Sequence, residues 1–409
     1  MIMSEKPAIP ILNLQEQYEQ LAPELEQAVI AVLRSGRYIL GEHGVRLEAE
    51  IAALSGCKHG IGVANCTDAL NLALWSLNIS PDDEVITTPF TFAATVEAVL
   101  LRGAKPVFVD VDEETYNIDT RLIESKITPR TKAIMPVHLF GLPADMDPII
   151  KLANSYSLKI IEDNAQAIGA TYKGRPTGSL SDVACISFYP TKNLGACGDA
   201  GMLVTNDDAL AERLKVLRAH GMRKRYYHDE LGINSRLDEV QAAVLLSKLP
   251  HLKNWNAGRQ KIARLYDKAL NQCPNVTIPK APPYYGETGL IEHVWHQYTV
   301  RIGNRQSESI AFGTARDAVM AELSKRGIGS MCYYPVPLHR QSAFLHLGYG
   351  LGDFPIAEKL ARQVLSLPMY PELRQDQINY IAASLADIVS QLDVPLVSQP
   401  SQAPTILAT

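Results

Sequence analysis

The first 250 residues alternate between strand-like and helix-like segments, and this alternation limits the folding of the chain more than any other feature. "HGIGVAN" reads as a short buried strand and "CTDALNLALWSL" as the helix that follows it. "EVITT" is the next strand, "FAATVEAVLLRG" a helix stopped by Gly103, and "KPVFVDVD" alternates as a strand does. "TKAIMPVHLF", "SLKIIED" and "DVACISFY" supply further strands. Ahead of them, "YEQLAPELEQAVIAVLRSG" has apolar residues at helical spacing and ends at Gly36. Strands separated by helices need crossover connections, so the order predicts an α/β fold: a mostly parallel sheet covered by helices on both faces.

The texture changes near Arg236. "RLDEVQAAVLLSKL" and "NWNAGRQKIARLYDKAL" form one long helical region that Pro250 kinks or breaks. Beyond it, strands ("HVWHQYTVRI", "GSMCYYPV") mix with helices near 314–326, 355–365 and 374–391. The expected organisation is a large α/β domain over 1–250, a smaller C-terminal α+β domain over 251–393, and a disordered tail over 394–409. That tail, within "VPLVSQPSQAPTILAT", is rich in Pro, Ser and Gln.

Bulk properties narrow the function. With 46% hydrophobic and 20% charged residues, the 409-residue chain reads as an ordinary globular protein with ample core. A net charge of −5 gives no electrostatic case for nucleic acid or an anionic membrane. No apolar run approaches the ~20 residues of a membrane helix. The start, "MIMSEKPAIPIL", has no basic segment followed by an apolar one, so no export signal is expected. The six cysteines (57, 66, 185, 197, 273, 332) form neither C-x-x-C nor a zinc spacing. The expectation is a cytoplasmic protein with reduced thiols and no metal.

In α/β sheets, ligands sit beyond the carboxyl ends of the strands, and four pieces of sequence fall there. Asp163 closes the strand of "SLKIIEDNAQAIGA", with Gln166 three residues on; a lone Asp there also suits a helix N-cap. Ser187 and Lys192 follow the strand of "SFYPTKNLGACGDAG". Taken alone Lys192 reads as a surface lysine, but shielded in a glycine-rich turn its amine becomes a nucleophile. Thr67 and Asp68 open a helix, where free backbone N–H groups either bind phosphate or are simply capped. Phe92 is either core or a flat wall against a planar ring. Together these match one cofactor, pyridoxal 5'-phosphate. It needs a Schiff-base lysine, an acid on its ring nitrogen, a phosphate cradle and a stacking wall.

The motifs "EDNAQAIGA", "SFYPTKNLGACGDAG" and "LGINSRLDEVQAA" resemble the DegT/DnrJ/StrS sugar aminotransferases, and the similarity runs from "LNLQEQYEQL" to "LSLPMYPEL". The resemblance implies the fold of type I pyridoxal-phosphate transferases, like aspartate aminotransferase. It implies that Lys192 is the Schiff-base lysine, Asp163 the pyridinium partner and Gln166 a contact to the ring hydroxyl. Ser187 and the Thr67 and Asp68 amides would bind phosphate, and Phe92 would stack. Asn234, otherwise a plain loop residue, would reach the phosphate of a neighbouring subunit's cofactor, making the unit a homodimer with shared sites. Tyr334 and His339, in "YYPVPLH", would face a sugar nucleotide. Arg236 would meet its diphosphate or form a salt bridge at a helix start. Ala200 stands where relatives more often carry glycine.

The resulting expectation is amino transfer from an amino donor, glutamate, to a nucleotide-linked keto-deoxysugar (dTDP or UDP), at C3 rather than C4. A keto-inositol or other cyclic ketone is the alternative substrate. The family's dehydratase branch fits poorly, since it looks different at the lysine position or adds an iron–sulfur cluster. From another class, a non-catalytic cofactor-binding regulator would be expected to carry a basic DNA-binding module, and none is evident.

Overall fold

A computed structural model describes residues 8–280, 283–286, 291–303 and 314–391. The tail expected over 394–409 lies outside the described residues. Seven strands form the main sheet: β1 (His59–Val63), β2 (Glu84–Thr87), β3 (Lys105–Phe108), β4 (Thr131–Ile134), β5 (Lys159–Asp163), β6 (Val183–Ser187) and β7 (Gly201–Thr205). Their spatial order is β1-β7-β6-β5-β4-β2-β3. All neighbours are parallel except β7, which runs antiparallel to both β1 and β6.

Helices cover both faces, and strand periodicity shows how. In β6, Val183 and Cys185 pack with Leu70 and Ala73 of helix α3 (Cys66–Ser76). The alternate residues Ala184 and Ile186 pack with Leu21 and Leu25 of α1 (Leu14–Ser35) and Leu47 and Ile51 of α2 (Glu42–Leu54). Successive strand side chains point to opposite faces, so a strand covered on both sides is apolar throughout until its last residue. Burying each such Leu or Ile stabilises the fold by about 1.5–3 kcal/mol. The remaining helices of this half that matter below are α4 (Ala94–Leu101), α5 (Met146–Tyr156), α6 (Asp208–Leu217) and α7 (Glu239–Lys248). A short hairpin, β8 (Met222–Lys224) and β9 (Tyr227–His228), projects between α6 and α7.

Pro250 interrupts the long helical region as expected. α7 ends at Lys248, a single 3₁₀ turn spans Leu249–His251, and α8 runs Leu252–Leu270. A three-stranded antiparallel sheet follows: β10 (Val276–Thr277), β11 (Tyr298–Ile302) and β12 (Val364–Leu367), with β11 in the middle. Helices α9 (Thr314–Lys325), α10 (Pro355–Gln363) and α11 (Gln375–Gln391) complete this half. Its core joins Ile262, Tyr266 and Leu270 of α8 to Val300, Leu365, Leu367 and Ile381. Ile9 belongs to the same core and bridges Ile328, so the beginning of the described chain lies with the C-terminal half.

Two local expectations change. "GSMCYYPV" forms no strand: only Met331 pairs, with Ser366, and Pro335 and Pro337 further on lack the N–H a ladder needs. Helix α10 stops at Gln363, two residues early, because Val364 starts β12.

Candidate active site

A cavity of about 580 Å³ opens beyond the carboxyl ends of β5 and β6, and Lys192, Asp163, Gln166, Ser187, Thr67, Phe92 and Tyr334 all line it. The sheet places them there. Asp163 is the last residue of β5 and Ser187 the last of β6, both strands being parallel and in register. α3 starts three residues after β1, directing its N-terminus at the same space.

Asp163 is almost fully buried. Its Oδ2 accepts a hydrogen bond from Thr95 Oγ1 at 2.8 Å and its Oδ1 one from the Ala165 amide at 3.2 Å. Burial pushes its carboxyl above the usual range. The Thr95 and Ala165 bonds and the nearby Lys192 amine pull it back.

Lys192 sits in the loop between β6 and β7, with Pro190 and Gly195 turning the chain tightly. A Cβ on Gly195 would lie 2.3 Å from the Pro190 carbonyl oxygen, so only glycine permits the turn. The loop is braced from below: buried Lys248 donates to the Gly195 carbonyl at 2.9 Å. Among the described residues, no hydrogen bond or ion pair engages Lys192 Nζ. Burial holds its amine below the ordinary lysine range, against the opposing pull of Cys66 and Asp163. That is the environment in which an amine is a usable nucleophile near neutral pH.

The start of α3 has the character of an anion site. The Asn65 side chain caps it by accepting the Asp68 amide at 2.8 Å. The preceding amides, of Cys66 and Thr67, find no acceptor among the described residues. Asp68 therefore differs from its expected role: its amide is used by the cap, and its carboxylate takes the Ser235 hydroxyl at 2.6 Å instead of lining the cavity. Gly201 makes this geometry accessible, since a Cβ there would stand 2.5 Å from the Asn65 carbonyl carbon.

The ring-sized space between these groups is bounded by Phe92, 59% exposed, and by Tyr334, whose ring centroid lies 6.3 Å from that of Phe92. Gln166 Oε1 accepts from the Phe140 amide at 2.7 Å, and its Nε2 donates to the Tyr334 hydroxyl at 3.3 Å.

Besides Asp68, three expected residues are not brought into the cavity. His339 is fully buried, its Nε2 paired with Glu358 Oε1 at 2.9 Å and its ring edge-on to Phe354. It holds α10 to the loop before it and is out of reach of a ligand in the cavity. Asn234 is exposed, bridging Ala219 near the β8–β9 hairpin. Arg236, beside it, has a buried Nε without a partner.

The sequence reading overlooked Thr95 and Thr91, whose hydroxyls lie 3.1 Å apart behind Asp163, and His296 and Gln297, which line the cavity from the C-terminal half. Thr95 sits inside an apolar helical run and His296 inside a strand-like one, so neither stood out. Among the described residues there is no cluster able to hold a metal ion and no helix long and apolar enough to cross a membrane.

An unpartnered, half-buried amine, a buried carboxylate, two free amides at a helix start and a flat aromatic wall around one cavity fit pyridoxal 5'-phosphate. They offer, respectively, an amine for its aldehyde, an acceptor for its ring nitrogen, donors for its phosphate and a face for its ring.

Comparison with known proteins agrees. Residues 19–386 match the DegT/DnrJ/EryC1/StrS aminotransferase family. A "Pleiotropic regulatory protein" of Geobacillus stearothermophilus is 49% identical over 93% of this chain and 98% of its own length. The UDP-N-acetyl-3-dehydro-alpha-D-glucosamine 3-aminotransferase of Acidithiobacillus ferrooxidans is 48% identical over 93% of this chain and 98% of its own. Among solved structures, S. venezuelae DesV in complex with a ketimine intermediate superimposes with a TM-score of 0.88. It shares 43% identity over 94% of this chain and 99% of that one.

Proposed function

The chain belongs to the DegT/DnrJ/EryC1/StrS aminotransferase family, whose members depend on pyridoxal phosphate, and from that premise we propose that it aminates the keto group of a nucleotide-linked sugar. The donor is an amino acid, L-glutamate, and the acceptor a dTDP- or UDP-linked keto sugar aminated at C3. One observation carries the reading: Lys192 Nζ stands unpartnered in the same cavity as the buried Asp163 carboxylate. The 3-keto preference rests on the 48% identical relative named for a 3-dehydro sugar.

When bound, pyridoxal phosphate supplies an aldehyde carbon that carries the amino group and a ring that accepts the electron pair of a broken C–H bond. The chain supplies the rest. Lys192 Nζ would hold that carbon and, when free, would carry the transferred proton as a general base and acid. Asp163 would keep a proton on the ring nitrogen, and Thr95, by donating to Oδ2, favours the ionised form of Asp163 against burial. The Cys66 and Thr67 amides and Ser187 Oγ would hold the phosphate, Phe92 would cover the ring and Gln166 would fix its hydroxyl. Tyr334 closes the substrate side. Asn234 and Arg236, exposed or half-exposed away from their own chain's cavity, serve the cavity of a second copy, so the working unit is a homodimer.

A second reading comes from the relative named as a regulatory protein: cofactor binding without turnover. Spectroscopy separates the two. Adding L-glutamate to the holoprotein should bleach its visible band, and a UDP- or dTDP-3-keto sugar should restore it. A band that no amino acid bleaches would favour the regulator. Restoration only by a keto-inositol would replace the sugar-nucleotide substrate.

A further inference from the structure

Lys192 is followed by Asn193, and the hydrogen bonds of that amide have a direction that nothing in the chain can reverse. Asn193 Nδ2 donates both hydrogens, one to the Val294 carbonyl and one to Asn256 Oδ1, each at 2.9 Å. Asn256 Nδ2 in turn donates to the Ile168 carbonyl at 3.1 Å. Backbone carbonyls only accept, so the two at Val294 and Ile168 fix both amides: each presents NH₂ to its carbonyl and oxygen to the next group. Flipping Asn193 would set oxygen against oxygen at Val294 and again at Asn256. The Asn193 oxygen is therefore an acceptor, and what lies against it, at 3.1 Å, is His296 Nδ1. All three side chains are more than nine-tenths buried, so water does not relax the constraint.

The consequence falls on the other ring nitrogen. With its proton held on Nδ1, a neutral His296 has a bare lone pair on Nε2. His296 lines the cavity that Lys192 lines, and among the described residues Nε2 has no partner. We infer that His296 is a positioning residue: its Nε2 is the acceptor for a hydrogen bond from Lys192 Nζ once the donor amine has displaced that lysine, a contact the lysine does not make in its present position, and so aims it. This rests on the role proposed for Lys192 above. The ring stays neutral for reasons independent of that role. Burial comes first, and the cationic groups packed around it, Lys192 and Arg259 with His293 behind them, further disfavour a second proton. Arg259 itself donates to the His296 carbonyl, fixing the backbone beneath the ring.

The arrangement has a use. An amine freed in a dry cavity with no acceptor would lose its proton readily and swing without a preferred direction. An acceptor that cannot itself be protonated steadies the ammonium form and gives the amine one orientation. A histidine able to charge would repel it.

Two measurements test this. In the full-length protein with ¹⁵N-labelled histidine, long-range ¹H–¹⁵N correlations should show His296 as the Nδ1–H tautomer, uncharged from pH 8 down to about pH 5, well below an ordinary histidine pKa. An Nε2–H tautomer, or a ring that charges near pH 6.5, would overturn the inference whatever the enzyme does. In the holoenzyme, His296→Leu should slow the glutamate half-reaction about tenfold or more and move the acid limb of its pH profile to lower pH. His296→Gln, which retains an acceptor, should restore much of both. Borohydride reduction of the same variants separates the two claims. If the tag stays on Lys192 while the pH limb of the Leu variant does not move, the positioning role is wrong. If the tag is absent from Lys192 in the unmodified holoenzyme, the underlying reading fails instead.

Discussion

Thr95 Oγ1, on the second residue of α4, donates to Asp163 Oδ2, at the end of β5, at 2.8 Å. Thr91 backs it at 3.1 Å. A buried carboxylate facing a cofactor must remain ionised, and burial works against that. The hydroxyl is the first influence that opposes burial. It belongs to the site as much as the acid does, lining the same cavity.

Thr95→Val keeps the shape and removes the donor. The Asp163 carboxyl should then titrate higher still, and cofactor binding, which needs the carboxylate, should weaken about tenfold near neutral pH for one lost charge-assisted hydrogen bond. The pH at which binding is half-lost should rise, because the acid now accepts its proton earlier as pH falls. Cofactor titrations from pH 5 to 8 would show this. An unchanged midpoint would mean that Thr95 has no electrostatic role.

Lys192→Met should abolish transamination and stabilise the cofactor-free chain. The amine's folded value lies below the ordinary 10.5. In the window between the two, the unfolded chain holds the proton that the folded one has lost, so stability rises with pH across that window. Below it, the folded chain carries a desolvated ammonium at a cost. Methionine removes the cost, so the variant should be more stable near neutral pH by about 1 kcal/mol, with its advantage shrinking as pH climbs toward 10.5. Tm of the apoprotein at pH 7 and pH 10 checks both parts.

Gly201→Ala places a methyl 2.5 Å from the carbonyl carbon of Asn65. The start of α3 must move, and with it the two free amides. Cofactor affinity should fall at least about tenfold, with the phosphate-free aldehyde pyridoxal affected far less. Equal losses for both would place the damage outside the phosphate cradle.

If Asn234 serves the opposite copy, two dead variants should rescue each other. Lys192→Ala and Asn234→Ala, each nearly inactive at limiting cofactor, should recover on mixing and reassociation. A random mixture of symmetric dimers would give about a quarter of full activity, one intact site in each mixed dimer. No recovery despite subunit exchange, shown by tagged chains, would confine Asn234 to its own subunit.

Much of this layout was legible in the sequence, for physical reasons. β6 is an apolar run that ends at Ser187, and β5 passes from Ile160 and Ile161 to the buried acids Glu162 and Asp163, which is how Ser187 and Asp163 announced themselves. The break at Pro250 follows from its missing N–H. What stayed hidden depends on pairing across long stretches of chain. Asn193 meets Asn256 and Val294 across 63 and 101 residues, and no local pattern encodes such a meeting. His339 misled in the opposite way. The family resemblance of "YYPVPLH" implied a sugar-nucleotide contact, but Glu358, nineteen residues on, draws His339 into the interior.

The amide bridge from Asn193 to Asn256 and Val294 ties the residue beside the reactive lysine to the half of the molecule built around α8. Swinging that half away would break the bridge in a dry interior and drag the lysine turn with it. The bridge therefore couples the position of the Lys192 turn to that half of the molecule. A substitution in α8 that loosens Asn256 should then be felt at the lysine turn, far away in sequence, as well as in its own half.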